Sequence, residues 1–296
     1  MTGPTNCQPK AAAWVLVLTS TNDYVKGAIT VARALQQVKT QYPIVVLYTS
    51  SVSAEAQALL SGAGCILKQI EPIRPPGKTN YLYKQFVETW TKLAVWSQYE
   101  YERVVLLDAD MLPLKNMDEL MEVVLPDESH IAACHACTCN PHKIETYPDD
   151  WIPSNCGHTG SSSGTKNDYF NSGLMVLTPS QATFEKIVTR LYGSTDLTNC
   201  LFGDQDFLNE VFGNRWAKLP YVYNSLKTLP HIHSETCDLR DVKNIHYIMQ
   251  PKPWAVDMQK DAPDEKEQQY YPQYQLWWDM YNSAGLSDSI NKIIYG

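Results

Sequence analysis

Short, continuous runs of apolar residues recur along the first third of the chain and predict buried strands. These runs cover residues 14–19, 44–49, 65–70 and 103–107. The runs 14–19, 44–49 and 103–107 lack the polar alternation of a half-exposed strand and are predicted to be buried, whereas 65–70 is predicted only as a third strand. Apolar residues at helical spacing between the runs predict helices over residues 26–39, 53–60 and 83–98. This alternation is the element order of a parallel, doubly wound α/β sheet.

The second half of the chain continues this pattern without a linker that would divide it. Further strands are predicted at 131–134, 174–177, 216–218, 221–223 and 244–247. Helices are predicted to start at Thr178-Pro179-Ser180-Gln181, with Thr178 as the cap, and to lie at 203–212 and at about 266–284. A polar segment at about 135–168 has no period and predicts an inserted loop. We therefore expect a single α/β domain, 1–296, with a mixed, mainly parallel sheet.

Composition excludes two classes of partner. The chain has 296 residues, 44% of them hydrophobic, and a net charge of −8. Without a basic face, nucleic acid is not an expected ligand, and without an apolar run of about 18 residues no membrane span is expected. The polar start, residues 1–10, lacks the features of a secretory signal. Eight cysteines in such a chain indicate mostly free thiols and a reducing compartment, so a cytoplasmic location is expected.

Two carboxylates, Asp108 and Asp110, follow the apolar run 103–107 directly, with the small Ala109 between them. In open α/β sheets the carboxyl ends of the strands meet the crevice where ligands bind. Two hard oxygen donors suit Mn²⁺ or Mg²⁺, which commonly keep phosphate and water as their other ligands. We therefore predict a divalent cation held against a diphosphate, although a surface turn would use the same residues.

The sequence offers three candidates for the third ligand of this metal, His231, His233 and His246. Lys252 follows His246 closely, and lysine is a common partner of phosphate, which favours His246. His231 and His233 would share one face of an extended segment and remain rivals.

Two further polar groups have both a structural and a functional interpretation. Asn171-Ser172-Gly173 precedes an apolar strand and could be a turn, or could bind sugar hydroxyls beside a closely approaching backbone. Asp204 and Gln205 could open a helix with a favourable acid, or could bind the sugar near its anomeric carbon.

The inserted segment contains a candidate zinc site of irregular spacing. The candidate ligands are Cys134, directly before the segment, and Cys137, Cys139 and Cys156 within it, together with His135, His142 and His158. The close pair of cysteines suits Zn²⁺, but the remaining spacing matches no regular zinc motif. Free thiols in a folded loop are therefore the expectation.

Five separated segments together resemble one family. They are LTSTNDYVKGA at 18–28; TKL at 91–93 before DAD at 108–110; FNSG at 170–173; GDQ at 203–205 with LN at 208–209; and LPYVYN at 219–224 leading to His246 and KPW at 252–254. Their order and content resemble the glycogenin-like retaining glycosyltransferases (family 8), which include the plant galactinol synthases. The cysteine-bearing insertion is more similar to the galactinol synthase branch.

This resemblance implies a Rossmann-like domain that binds a UDP-hexose, with Mn²⁺ held by Asp108, Asp110 and His246. It implies a catalytic group around the sugar, formed by Asn171, Asp204 and Gln205. The implied donor-binding residues are Leu18, Thr19 and Tyr24 at the uridine, together with Lys92, Ala109, Ser172 and Lys252. The expected reaction is transfer of galactose or glucose, with retention, to a hydroxyl of a small polyol or saccharide, myo-inositol being favoured.

The chain departs from the family pattern at identifiable positions. Met249 stands where members often have glycine, and the arginine that glycogenin carries before its Thr-Lys-Leu is unmatched, with Lys84 or Arg74 as substitutes. No counterpart of the glucosylated tyrosine segment of glycogenin follows Asn224. A glycogenin-like transferase acting on a saccharide or protein, and a non-catalytic carbohydrate-binding scaffold, are the alternatives. A homodimer is one assembly compatible with these features.

Overall fold

The computed structural model describes residues 11–159, 167–258 and 267–283. In chain order the elements are β1 (Ala12–Leu18), α1 (Tyr24–Gln37), β2 (Ile44–Tyr48), α2 (Ala54–Gly62), β3 (Ile66–Gln69), β4 (Lys78–Thr79), β5 (Arg103–Leu107), β6 (Met111–Pro113), β7 (Ile131–His135), β8 (Phe170–Leu177), α3 (Gln181–Gly193), β9 (Asp196–Leu197), α4 (Asp204–Phe212), β10 (Trp216–Leu219), β11 (Ser225–Leu226), α5 (Leu229–Ile232), β12 (Asn244–His246) and α6 (Tyr271–Ser283). Segment 1–10 and the outermost residues of the predicted helix 266–284 lie outside the described residues.

The central sheet has seven strands in the order β10-β7-β8-β5-β1-β2-β3. Its pairs are parallel except those of β8, which is antiparallel to both β5 and β7. The prediction of a mixed, mainly parallel α/β sheet is confirmed. Because β8 alone is reversed, its amino end lies beside the carboxyl ends of β5 and β7.

The inner strands of the sheet are covered on both faces, as their unbroken apolar runs predict, whereas the edge strand β3 is partly exposed. Along β1, Trp14 and Leu16 pack into the layer that contains α1 and α6. Ala13 and Val15 point the other way, into the layer that contains α3 and α4. Successive side chains of a strand face opposite sides, so a strand between two helical layers must be apolar at every position. None of the helices in the described ranges is long and apolar enough to cross a lipid bilayer.

A second sheet of three strands, β11-β12-β6, lies beside the carboxyl end of β5. Strand β12 pairs antiparallel with β6, so that His246 faces Met111 in the register. The C-terminal helix α6 holds the segment that follows β12. The Trp278 indole Nε1 donates to the Pro253 carbonyl at 3.0 Å, and the Trp254 and Trp277 rings lie 5.7 Å apart.

Three predicted elements differ in the structure. The predicted helix 83–98 consists of two 3₁₀ stretches, Lys84–Val87 and Thr89–Ser97. All side chains from Trp90 to Trp96 are buried, whereas an amphipathic α-helix would leave one face in solvent. The predicted strand at 221–223 is a 3₁₀ turn that follows Pro220. Helix α3 is capped by Ser180, whose hydroxyl accepts from Thr183 N at 3.3 Å, and not by Thr178.

Candidate active site

The two carboxylates lie at the carboxyl end of β5, where the reversed strand β8 brings a second polar segment to meet them. Leu107 pairs with Leu174, and the next backbone amide, that of Asp108, donates to the Gly173 carbonyl at 2.8 Å. Asn171 and Ser172 therefore begin β8 directly beside the point where β5 ends. Strand pairing thus joins two segments that are about sixty residues apart in sequence.

His246 reaches the same place through the second sheet. The amide of Tyr247 donates to the Asp110 carbonyl at 2.8 Å, which fixes β12 against the carboxylate loop. The His246 Nε2 atom lies 3.3 Å from Asp110 Oδ1 and 3.9 Å from Asp108 Oδ2. One ligand atom from each of these three residues lies within 4.8 Å of the others. His246 is therefore the histidine that joins the pair, while His231 packs its ring on Tyr270.

Each carboxylate has a lysine as its counterion. Lys92 Nζ lies 2.9 Å from Asp108 Oδ1 and 3.4 Å from Asp204 Oδ2, and Lys252 Nζ lies 2.5 Å from Asp110 Oδ2. Burial lowers the pKa of Lys92, but Asp108 and Asp204 outweigh it and raise that pKa above its usual value. Burial likewise raises the pKa of Asp110, but Lys252 and His246 outweigh it and leave that pKa below its usual range.

The pKa of Asp108 shifts in the opposite direction to that of Asp110, because the neighbouring positive charges do not fully offset the effect of its burial. Burial raises the pKa of the Asp108 carboxyl, Lys92 lowers it and the neighbouring Asp110 raises it again, so the net direction is upward. Two carboxylates this close favour a bound positive charge, which removes their mutual repulsion. The arrangement is thus electrostatically suited to a cation between Asp108 and Asp110.

A chain of amide hydrogen bonds sets the orientation of the His246 ring. The backbone amide of Gly173 donates to Asn171 Oδ1 at 3.0 Å, which identifies that atom as the acceptor. Asn224 Nδ2 then donates to the same oxygen at 2.8 Å, so Asn224 presents its Oδ1 to His246 Nδ1 at 2.9 Å. His246 therefore donates from Nδ1, so that in the neutral imidazole Nε2, the nitrogen that faces the carboxylates, has the lone pair. This is the tautomer that a metal ligand requires.

The same network continues to Gln205. Its Oε1 accepts from Asn171 Nδ2 at 2.9 Å and from the Ser172 amide at 3.2 Å, and its Nε2 donates to the Tyr169 hydroxyl at 3.0 Å. Tyr169 in turn donates to Asp206. Burial, and then the charge of Asp206, raise the pKa of Tyr169 well above its usual value, so the phenol keeps its proton. The Gln205 amide is consequently held at both ends.

Asp204 connects Ser172 at the start of β8 to Lys92. Its Oδ2 accepts from the Ser172 hydroxyl at 2.9 Å and lies 3.4 Å from Lys92 Nζ, and the residue is only 2% exposed. A buried carboxylate with these partners is satisfied electrostatically. Because Lys92 touches both Asp108 and Asp204, it links the two carboxylate groups of the site.

The carboxylates, His246, the two lysines and the polar residues that begin β8 and α4 line one cavity of about 590 Å³, a volume typical of small-molecule sites. The sequence-predicted residues that line it are Leu18, Thr19, Tyr24, Lys92, Asp108, Ala109, Asp110, Asn171, Ser172, Asp204, Gln205, His246 and Lys252. The structure thus brings every predicted site residue into one cavity.

Two glycines allow the walls of this cavity to approach closely. A Cβ on Gly27 of α1 would collide with the Ala109 carbonyl oxygen. A Cβ on Gly173 would lie 2.5 Å from His246 Cε1 and 2.9 Å from Asn171 Oδ1. Only glycine therefore lets helix α1 and the His246 ring pack against the carboxylate loop.

The inserted segment and its neighbours supply an aromatic wall that the sequence pattern did not reveal. Tyr83, Phe86, Tyr147, Trp151 and Phe202 all line the cavity. The Trp151 and Phe202 rings are stacked with centroids 5.1 Å apart and an interplanar angle of 9°. Tyr147, Trp151 and Phe202 lie in loops, where no hydrophobic period marks them, while Tyr83 and Phe86 belong to the segment 83–98, whose periodicity predicted a helix and not a cavity wall. Asn224 was also missed as an orienting residue, although it ends one of the characteristic segments.

The departures from the family pattern have definite positions. Met249 lines the cavity with a backbone φ of 62°, the left-handed region that favours glycine. Arg74 pairs with Glu88 at 3.3 Å and is largely exposed. Lys84 begins a 3₁₀ stretch, and its side chain lies outside the described residues.

The group of cysteines that the structure brings together differs in membership from the candidate zinc site of the sequence. Cys134 lies apart and donates its thiol to the Pro220 carbonyl at 3.2 Å. Cys137, Cys139 and Cys156 instead surround His233, the residue that rivalled His246 for the carboxylates. His135 packs against Trp216 and His158 bonds to the His135 carbonyl, so neither joins this cysteine group.

Comparisons with known proteins agree with this geometry. The profile of the family described as "Glycosyl transferase family 8" matches residues 15–257. Galactinol synthase 1 of Solanum lycopersicum is 31% identical over 95% of this chain and 85% of its own length, and galactinol synthase 7 of Arabidopsis thaliana is 30% identical over 94% and 84%. The galactosyltransferase LgtC shares the fold with a TM-score of 0.61 at 16% identity, covering 92% of this chain and 95% of LgtC.

Proposed function

We propose that the chain moves galactose from UDP-galactose to a polyol hydroxyl. The proposal starts from the family: the chain belongs to glycosyl transferase family 8 and is thus a sugar-transferring enzyme. The favoured acceptor is myo-inositol, since galactinol is a galactoside of inositol and the similar curated proteins are named galactinol synthases. Transfer with retention of the anomeric configuration is part of the proposal. The reaction needs a site for a nucleotide diphosphate, a site for a hexose and a site for the acceptor.

One observation carries the proposal. The Asp108, Asp110 and His246 group lies in the same cavity as Asn171, Asp204 and Gln205. A cation-binding group therefore faces a set of sugar hydrogen-bonding groups across a single small-molecule cavity. A diphosphate joined to a hexose needs both sets of groups side by side.

The donor set fits Mn²⁺ or Mg²⁺. Two carboxylates and one imidazole whose Nε2 lone pair faces them are ligands that these ions accept. When bound there, the ion would supply positive charge to the leaving diphosphate. Asp108, Asp110 and His246 would hold it, while Asn224 keeps the imidazole in the required tautomer.

Lys252 is placed to bind phosphate beside this cation group. It is 4% exposed, its Nζ donates to the Tyr247 carbonyl at 2.7 Å, and Pro253 and Trp254 behind it pack on α6. A lysine held this firmly contributes a preorganised positive charge where negative charge develops on the departing nucleotide. The rigidity of Lys252 thus depends on the C-terminal helix.

At the other side of the cavity, Gln205 and Asp204 would flank the hexose. Gln205 is held through Oε1 by Asn171 and through Nε2 by Tyr169, so its amide position is independent of substrate. The negative Asp204, which lies near Lys92, favours positive character at the anomeric carbon. The leaving phosphate would take the acceptor proton in a front-face displacement, so no protein base is assigned.

The aromatic wall is the proposed acceptor side. Trp151, Phe202 and Tyr147 line the cavity, with Tyr147 and Phe202 centroids 5.3 Å apart. Apolar ring faces commonly contact the C–H faces of sugars and cyclic polyols, and burying them removes apolar area from water. The nearby His142 and Asn140 add polar groups to the same wall.

A substrate screen tests the proposal. The purified chain is incubated with Mn²⁺ and either UDP-galactose or UDP-glucose, each with myo-inositol, with simple sugars and with no acceptor. We expect UDP release to be fastest for UDP-galactose with myo-inositol, and a product of hexosyl-inositol mass. Faster transfer from UDP-glucose to a saccharide would support the glycogenin-like alternative, and no UDP release from any donor would refute the transferase proposal.

A further inference from the structure

We propose that Cys137, Cys139, Cys156 and His233 form a structural Zn²⁺ site, separate from the carboxylate group. Cys137 and Cys139 lie just after β7, and Cys156 follows a 3₁₀ turn near the end of the inserted segment. His233 ends α5, about eighty residues later in the chain. The fold thus collects three soft sulfur ligands and one imidazole from three distant segments.

The distances between these atoms are those of a tetrahedral zinc site. Zinc bonds of about 2.3 Å to sulfur and about 2.05 Å to nitrogen give tetrahedral edges of about 3.8 Å between sulfurs and about 3.6 Å between sulfur and nitrogen. The His233 Nε2 atom lies 3.4, 3.2 and 3.6 Å from the sulfurs of Cys137, Cys139 and Cys156. The Cys137 and Cys156 sulfurs are 4.0 Å apart, and all four atoms lie within 4.8 Å of one another.

Hydrogen bonding does not account for this cluster. An imidazole Nε2 atom has either one lone pair or one N–H, so it makes one good hydrogen bond and not three. The sulfurs of Cys137 and Cys156 are far beyond the roughly 2.05 Å of a disulfide bond. Cys139, Cys156 and His233 are also buried, so water does not supply the missing hydrogen-bond partners. A cation at the centre satisfies all four ligands at once.

The ligand chemistry separates this site from the carboxylate group. Thiolates and imidazole select zinc, whereas paired carboxylates favour Mn²⁺ or Mg²⁺. Four protein ligands leave no open position, which is typical of structural and not of catalytic zinc. The site is therefore expected to keep its metal while the metal at Asp108 and Asp110 exchanges.

The position of the cluster indicates what it stabilises. Cys137 itself lines the cavity, and so do Asn140 and Trp151 from the inserted segment and Ile232 beside His233. A zinc ion would fasten the insertion to the β11–α5 segment and so fix the aromatic wall. Metal ligation contributes folding free energy outright where no other contacts hold a loop.

Metal analysis of the whole chain tests the site. The protein is produced without a histidine tag, passed through EDTA to remove exchangeable ions, and analysed by inductively coupled plasma mass spectrometry. We expect about one zinc per chain. Cys137→Ser and His233→Ala should each lose most of it. Cys134→Ser should keep it, because Cys134 is buried and lies three residues from Cys137, but donates its thiol to the Pro220 carbonyl and is not part of the four-residue group.

Cobalt substitution provides a readout that needs no variant and no substrate. Chain produced with Co²⁺ should show the thiolate-to-cobalt charge-transfer band and the intense visible bands of a tetrahedral sulfur-ligated ion. Wild-type protein that contains no zinc and gives no such spectrum would overturn the proposal, and so would an intact mass showing a disulfide between two of these cysteines. None of these measurements depends on UDP-galactose, so failure of the zinc site and failure of the proposed function are distinguishable.

Discussion

Asn224 offers a sharp test of the proposed metal site, because it would act on the metal only through His246. Its side chain is 1% exposed, accepts from His246 Nδ1 at 2.9 Å and donates to Asn171 Oδ1 at 2.8 Å. Asn224→Ala removes the acceptor that keeps the proton on Nδ1. The His246 ring can then carry its proton on Nε2, the atom that faces Asp110, and such an imidazole does not bind a cation.

The size of the effect follows from this lost contact. Leaving a buried donor without its partner costs about 1–3 kcal/mol, which corresponds to roughly 5- to 150-fold in affinity. Loss of an outer partner of a metal-bound histidine typically weakens metal binding by about 10- to 100-fold. We therefore expect Mn²⁺ affinity in Asn224→Ala to fall about 10- to 100-fold, with the fold intact.

The affinity is measured by the electron paramagnetic resonance signal of free Mn²⁺ in a titration, with folding checked by circular dichroism. Asn224→Asp keeps an acceptor for His246, so it should retain Mn²⁺ affinity but lower kcat, because Asn171 loses its donor. Asn209→Ala is the matched control: it breaks hydrogen bonds of 2.9 Å to the Phe170 backbone and of 2.8 Å to the Gln205 carbonyl, and none of these described bonds involves His246, Asp108 or Asp110. Equal Mn²⁺ affinity in the wild type and Asn224→Ala would refute the tautomer argument.

The remaining predictions concern four positions. Asp110→Asn should abolish turnover without unfolding the chain, and near-normal UDP release would contradict its role as a ligand. Gln205→Ala should lower kcat while UDP affinity, measured by calorimetry, stays nearly unchanged. A loss of UDP binding alone would count against a role of Gln205 in the transfer step. Gly173→Ala should lose about 1–3 kcal/mol of stability in urea unfolding, because the added carbon meets His246 at 2.5 Å. Met249→Val should unfold more easily than Met249→Gly by about 1–3 kcal/mol, since a branched residue tolerates a φ of 62° poorly; equal stability would show that this conformation relaxes freely.

Much of the central sheet follows from sequence because its cause is local. An apolar run such as Arg103–Leu107 must be buried on both faces whatever its position in the fold. The carboxylates that follow it must therefore lie at the end of a strand. The strands β1, β2 and β5 were predictable for this reason. The local pattern predicted an α-helix at Thr89–Ser97, but the segment is a 3₁₀ helix. Its side chains from Trp90 to Trp96 are all buried, so the apolar spacing did not mark one buried face of an α-helix.

The amino-acid sequence by itself determined which residues could carry the chemistry: the paired aspartates, the polar segment before β8, and the acid and amide that open α4. Tertiary structure alone determined how they meet. The reversal of β8 puts Gly173 beside Asp108, and the pairing of β12 with β6 selects His246 over His233. These choices depend on strand direction and register between segments far apart in the chain, and spacing along a sequence contains no information about either. For the same reason only the fold could join His233 to three cysteines.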